Sequence, residues 1–251
     1  MSTSHATLPP LPNPYRPLMA PPGSSALDHA LAHAEQGVLA WVPGEFWAEA
    51  AVVLAPETPA EAALARQAGA NALADALATI APADLPLGFA WPGTLTLNHG
   101  RCGSIEARPG PNGLLLLGFR ARLRFPPGHE AGLLPGETAL VEEGAEEATA
   151  PHLAHAWALH LMAVLDAWEA RGLPHLVEHY LARLLEPAAE PGLKRGIHPQ
   201  TGALVLERGS CPEAWCRSCA PWRAGPPGQA ATAGRLTVGL SLTAPMVSSV
   251  M

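Results

Sequence analysis

Apolar positions along this chain alternate between runs with a helical repeat and short runs with strand character. Ser25-Ala26-Leu27-Asp28 has the form of a helix N-cap with an acid three residues on. Leu27, Ala30, Leu31 and Ala34 then recur at helical spacing, and Gly37 ends the run. Residues 38–42 read as a strand, Pro43-Gly44 as a turn, and 50–54 as a second strand, apolar throughout and expected to be buried. Thr58-Pro59-Ala60-Glu61 is the strongest local signal: a capping threonine, a proline at the first helical position and a glutamate closing a capping box. It predicts a helix to about residue 80, with Leu64, Ala68, Leu73, Leu77 and Ile80 on its apolar face. A hairpin follows at 94–97 and 101–107, then a long strand over 114–125. In the second half of that strand Arg120, Arg122 and Arg124 alternate with Ala121, Leu123 and Phe125, which gives one wet face. Residues 126–150 form a Pro/Gly/Glu-rich connector with a short strand expected at 138–142. A helix runs from 151 to 171, with Leu153, Trp157, Leu161, Val164, Leu165 and Trp168 on one face, and Gly172 stops it. A second helix is expected over 175–185 and a hairpin over 193–207, turning at Pro199-Gln200-Thr201-Gly202.

Composition narrows the picture. The 251 residues are 48% hydrophobic and 15% charged, enough for a substantial core. A net charge of −7 without a basic stripe argues against a nucleic-acid partner. No run approaches the ~18 uninterrupted apolar residues of a membrane helix, and no signal peptide is visible, so a cytoplasmic protein without a membrane partner is expected. Fourteen arginines stand against one lysine, Lys194, a skew that a GC-rich coding sequence explains. The four cysteines, Cys102, Cys211, Cys216 and Cys219, are not a disulfide scaffold. Four segments are expected: a Pro-rich stretch at 1–24, extended along the surface or disordered; a main domain at 25–190; the start of a small β module at 191–208; and a tail at 209–251. The crowded Cys, Trp, Arg, Pro and Gly of the tail read either as disorder or as a shifted reading frame.

The most informative stretch is 90–108. Trp91-Pro92-Gly93 opens the first hairpin strand, Asn98-His99-Gly100 is a turn signal, and Arg101-Cys102-Gly103 begins the return strand. This resembles the central hairpin of the biotin/lipoate protein ligase family, where Lys-Trp-Pro-Asn-Asp precedes a strand, a short turn and Lys-x-x-Gly. The order of elements from about residue 25 to 207 is similar to that family too. The resemblance implies an α+β fold: a biotin/lipoate ligase-like mixed sheet with flanking helices, followed by a partial small β module.

It also implies an activity. Family members activate biotin, lipoate or a related acid with ATP and pass the acyl group to a lysine of a target protein. A carboxylate and a phosphate must approach each other, which calls for cations and backbone donors. By the resemblance Arg101 is the catalytic cation, and Trp91, Asn98, Gly100 and Gly103 are ligand-binding positions. ATP and Mg²⁺ are implied if the chain is catalytic, with biotin or lipoate as substrate and an acyl-acceptor protein as partner. The chain departs from the pattern at Ala90, at Gly93-Thr94 and at Arg101. Its early loop, Pro43 to Glu49, holds one glycine, two glutamates and no arginine. A second reading is therefore a non-catalytic ligand- or protein-binding module on the same fold.

Each residue also has a plainer reading. Arg101 is an ordinary exposed strand residue, Trp91 packs in the core, Asn98 and His99 serve the turn, and Gly103 marks a bulge or a close backbone approach. His175-Leu-Val-Glu178-His179 matches the inverted zinc-protease spacing, which opens a third reading as a zinc hydrolase. His152, His155 and His160 read as a solvated helix face. Cys211, Cys216 and Cys219 have zinc-like spacing inside the atypical tail. No metal ligand is assigned.

Overall fold

The structure, a computed structural model, describes residues 7–129, 134, 136–185 and 193–208. The tail from 209, with Cys211, Cys216 and Cys219, lies outside the described residues, as does the expected boundary at 190–191.

Seven strands form one mixed sheet in the order β1-β2-β3-β7-β6-β5-β4: β1 (Arg16–Met19), β2 (Val38–Val42), β3 (Trp47–Leu54), β4 (Leu87–Ala90), β5 (Thr94–Leu97), β6 (Gly100–Pro109) and β7 (Leu115–Arg122). Only β1 and β2 pair in parallel. The helices are α1 (Ala26–Ala32), α2 (Pro59–Ala78), α3 (Ala150–Arg171) and α4 (Leu173–Arg183). A separate two-stranded sheet, β8 (Leu193–Ile197) and β9 (Leu204–Arg208), follows.

Strand alternation divides the sheet into two faces. Leu39, Trp41, Val52, Leu54, Leu95, Leu97, Leu117 and Phe119 join α2, α3 and α4 in the main core, where Trp157 and Tyr180 are fully buried. Val38, Ala40, Val42, Ala51, Val53 and Leu116 form a smaller cluster with Ala26 and Ala30 of α1. The seven residues of α1 cannot cover the whole second face. The part over β5, β6 and the ends of β3 and β7 stays open and polar.

The cap at Thr58 works as its sequence predicts, with one change. Thr58 Oγ1 accepts from Glu61 N at 3.2 Å, but the Glu61 carboxylate reaches back to the N–H of Glu57, at 2.8 Å. The helix it starts shows no narrow apolar stripe. Lying between the sheet and two helices, α2 is buried on almost every side. Alanine allows that close packing, and its buried amides donate across it: Gln67 to Gly202 O and Asn71 to Leu176 O, both at 3.0 Å, although Gln67 Oε1 has no hydrogen-bond partner among the described residues. Gly202 (φ +64°) turns the β8–β9 hairpin against α2, where any Cβ would overlap the carbonyl of Ala63.

Several elements differ from the sequence expectation. β1 lies inside the Pro-rich stretch. The N–H groups of Arg16 and Ala20 face β2, so the nitrogen of Pro17 points to the free edge, where no donor is needed. β4 was hidden between Pro86 and Pro92. β3 begins three residues earlier than the apolar run, because all of Trp47–Leu54 pairs with β7. β7 ends at Arg122 rather than 125, as the N–H of Leu123 turns to Phe46 O. The strand expected at 138–142 is a turn. Its N–H groups at Leu140 and Val141 cap the carbonyls of Arg122 and Leu123 instead of extending a ladder. Among the described residues no helix is long and apolar enough to cross a membrane.

Candidate functional site

The β5–β6 turn places Asn98 (φ 46°) and His99 (φ 67°) at two successive positive dihedrals, the signature of a type I′ hairpin. Both residues are exposed on the turn. Just beyond it the ladder slips. Leu95 pairs with Gly103 and Thr96 with Arg101, so Cys102 is the extra residue of a β-bulge. Without the slip, Arg101, Gly103 and Ile105 would share one face. With it, Cys102 and Ile105 both enter the core, while Arg101 and Ser104 line the open side. The backbone of Arg101 is held on its free edge: its N–H donates to Gly136 O at 2.7 Å, and its carbonyl accepts from Thr138 N at 2.9 Å.

Arg101 thereby faces Arg120 and Arg122 of β7 across a cleft of about 410 Å³, with Trp47, Thr94, Gly103, Ser104 and Glu137 in its walls. A second depression of about 360 Å³ continues it through Ser104 and Arg120 toward Ser24, Ser25 and Glu106. The Trp47 ring lies between two guanidiniums, 3.9 Å from that of Arg120 and 4.3 Å from that of Arg122. Arg120 pairs with Glu49 at 2.9 Å and Arg122 with Glu137 at 2.8 Å. Arg101 has no ion pair or side-chain hydrogen bond among the described residues.

Cys102 also borders the cleft, yet its thiol is buried and donates to Arg122 O at 3.5 Å. Burial pushes it up to about 12, despite opposing help from the Arg122 carbonyl contact and guanidinium. Burial likewise pushes the Tyr180 phenol up to about 12, against a lowering by Arg66. A thiol held protonated is a poor nucleophile. These raised values lie above those of the unfolded chain, so the stability they represent is complete below the unfolded pKa, 9.0 for the thiol and 10.0 for the phenol, and is lost as pH rises toward 12. Thermal melts should therefore fall in Tm across that window. Cys102→Ala should flatten the drop, and an unchanged slope in that variant would refute the assignment.

The structure brings Arg101 and Gly103 together in the cleft. Gly100 packs on Thr138, and Asn98 sits on the turn. Trp91 lies at the other end of β5, packed edge-on to Tyr180 at 6.4 Å, with the Tyr180 hydroxyl donating to Pro92 O at 3.2 Å. Trp47, Glu49, Arg120, Arg122 and Glu137 were not singled out in the sequence. The alternation of Arg120 and Arg122 on an otherwise apolar strand was visible, but it carried no hint of a neighbour. Trp47 and Glu49, read as loop residues, belong to β3, and the β2–β3 connection is only residues 43–46.

On α4 the rings of His175 and His179 lie 4.3 Å apart, and an Arg171 guanidinium nitrogen stands 3.4 Å from His175 Nε2. Desolvation, followed by His179 and Arg171, lowers the His175 pKa. No group of three His, Cys, Asp or Glu that could hold a metal occurs among the described residues, and the zinc-hydrolase reading gains no support. His155 contacts Pro10 O at 3.2 Å.

A mixed sheet with three helices on one face, and the short α1 beside an arginine-lined cleft on the other, is an α+β architecture. The chain belongs to the biotin/lipoate A/B protein ligase family, whose sequence pattern it matches over residues 8–182, more than half of its length. Its fold is that of the biotin ligase catalytic domain. A biotin protein ligase-like protein of unknown function from Silicibacter sp. TM1040 is 26% identical, with a TM-score of 0.61 over 78% of this chain and 86% of that one. The Aquifex aeolicus biotin protein ligase in complex with biotin and ATP is similar at 10% identity and a TM-score of 0.58, over 77% and 99% of the two chains. The Leishmania major ligase in complex with biotinyl-5-AMP is similar at 15% identity and 0.52, over 78% and 99%. No curated protein matches the sequence.

Proposed function

We propose that this protein binds a small carboxylic acid of the biotin/lipoate type in the open-face cleft, without activating it. The observation that carries this reading is the convergence of Arg101, Arg120 and Arg122 on one polar cleft, with Arg101 free to meet a carboxylate through its planar fork. Thr94, Ser104, Ser24 and Ser25 line the same trough and would serve a polar ring system at the far end of the acid. The ligands of the Aquifex and Leishmania relatives support this ligand class.

ATP and its Mg²⁺ fit this donor set poorly. Gly44 is folded against the carbonyl of Trp47, 2.7 Å from where its Cβ would stand, so the short β2–β3 turn has no open backbone cradle. Two of the three guanidiniums already hold carboxylates. No adenylation step or acyl acceptor is assigned on this reading.

Titration calorimetry with biotin, lipoate and octanoate, paired with ATP–pyrophosphate exchange, tests it. Binding of one acid with no exchange is the expected result. Exchange with any acid would return the protein to the active ligases, and absence of binding to all three would remove the acid reading.

A further inference from the structure

We infer that Glu49 and Glu137 are specificity-determining residues that set the charge of the anion this cleft accepts and exclude phosphoanions. The inference deepens the acid-binding reading and rests on it for the location of the site.

Three guanidiniums around one cleft would ordinarily suit a polyanion. Here two of them are neutralised at contact distance, Arg120 by Glu49 and Arg122 by Glu137, which leaves the charge of Arg101 unbalanced. The adjoining depression is no more cationic, since its Arg108 is paired with both Glu106 and Asp28. A monocarboxylate matches one unbalanced positive charge. A pyrophosphate group would bring several negative charges against the Glu137 carboxylate in the cleft wall and that of Glu49 in the adjoining depression.

The pairs are built so that a ligand cannot easily displace them. The Glu49 side chain is 16% exposed and lies on the paired strand β3. Glu137 sits in a backbone bridge to Arg101, fixed by the hydrogen bonds of Gly136 and Thr138 on either side. Trp47 stacks on both arginines, and Phe125 lies 4.7 Å from the Arg122 guanidinium. The arginines are thus fixed by rings as well as by carboxylates. Neutralising the two glutamates should leave the guanidiniums in place and unmask their charge. A purely structural role for the ion pairs predicts the opposite sign, a general loss of binding.

The test is calorimetry with inorganic pyrophosphate on the wild-type chain, Glu137→Gln and Glu49→Gln/Glu137→Gln, with cooperative melts as the check on folding. The double variant should bind pyrophosphate at least about tenfold more tightly than wild type at low ionic strength, with the gain shrinking as salt is added. Glu137→Gln alone should give a smaller gain. If the double variant does not fold, the single variant decides by the same criterion, because Glu137 is more exposed than Glu49. No gain in a folded variant would overturn the inference, as would wild-type protein that already binds pyrophosphate as tightly as any acid. Arg101→Ala titrated with biotin, lipoate and octanoate reads the underlying proposal separately. A pyrophosphate gain in a protein that binds none of these acids would keep the charge assignment and discard the acid reading.

Discussion

Gly103→Ala should destabilise the protein by about 3 kcal/mol or more, a large fraction of the stability of an ordinary domain. Gly103 pairs with Leu95 on one side and Ala121 on the other, at the bulge in the middle of the sheet. A Cβ there would overlap the carbonyl oxygen of Arg120 and stand 2.9 Å from Ala121 Cα. Both obstacles are backbone, so no side-chain rotation relieves them, and β6 must move away from β7. That movement would also carry Arg101 away from Arg120 and Arg122, so ligand affinity should fall with stability. Gly196→Ala is the matched control: a strand glycine with nothing within 4 Å of its missing Cβ. Urea melts of the two variants decide the matter. An unchanged midpoint for Gly103→Ala would mean that the close approach of β6 and β7 is not as tight as described.

Arg101→Ala should weaken binding of the acid by about ten- to a hundredfold, the equivalent of about 1.5–3 kcal/mol for a charge-assisted hydrogen-bonded pair. The side chain is exposed and unpaired among the described residues, so its removal should leave the melting temperature almost unchanged. Arg101→Lys should fall between the two, since it keeps the charge but loses the two-pronged geometry. Calorimetry on the three proteins separates these effects. Equal affinity for wild type and Arg101→Ala would remove Arg101 from the site, and a large loss of Tm would mark it as structural.

The raised thiol pKa and the charge-balanced arginines have a common cause in the packing of β7. Its inward residues Phe119 and Ala121 face α3 and the core, where Trp157 stands edge-on to Phe119 at 5.0 Å. Its outward residues Arg120 and Arg122 are thereby committed to the open face. The same strand fixes the carbonyl of Arg122, which the Cys102 thiol meets from β6. On the acid-binding reading, variants on the two faces of this strand should be separable by their effects on melting and on binding.

Features governed by neighbours a few residues apart were legible in the sequence. Thr58, Pro59 and Glu61 announced α2, Asn98-His99-Gly100 announced the hairpin turn, and the unbroken apolar run announced β2, because caps, turns and burial patterns act locally. The order of these elements, with the hairpin at 90–108, was enough to point to the family. Tertiary structure alone decided the rest. β1 and β4 carry too few residues between prolines to declare themselves and exist because partners offer ladders to pair with. The bulge at Cys102 arises from registers that β5 and β7 impose on β6 together, and it determines which face Arg101 takes. Trp47, Arg101, Arg120 and Glu137 are far apart along the chain. They meet because β3 pairs with β7 and β7 with β6, in registers set by the burial of the opposite face. That is why the sequence by itself determined the fold, whereas the charges gathered around Arg101 were decided only when the sheet closed.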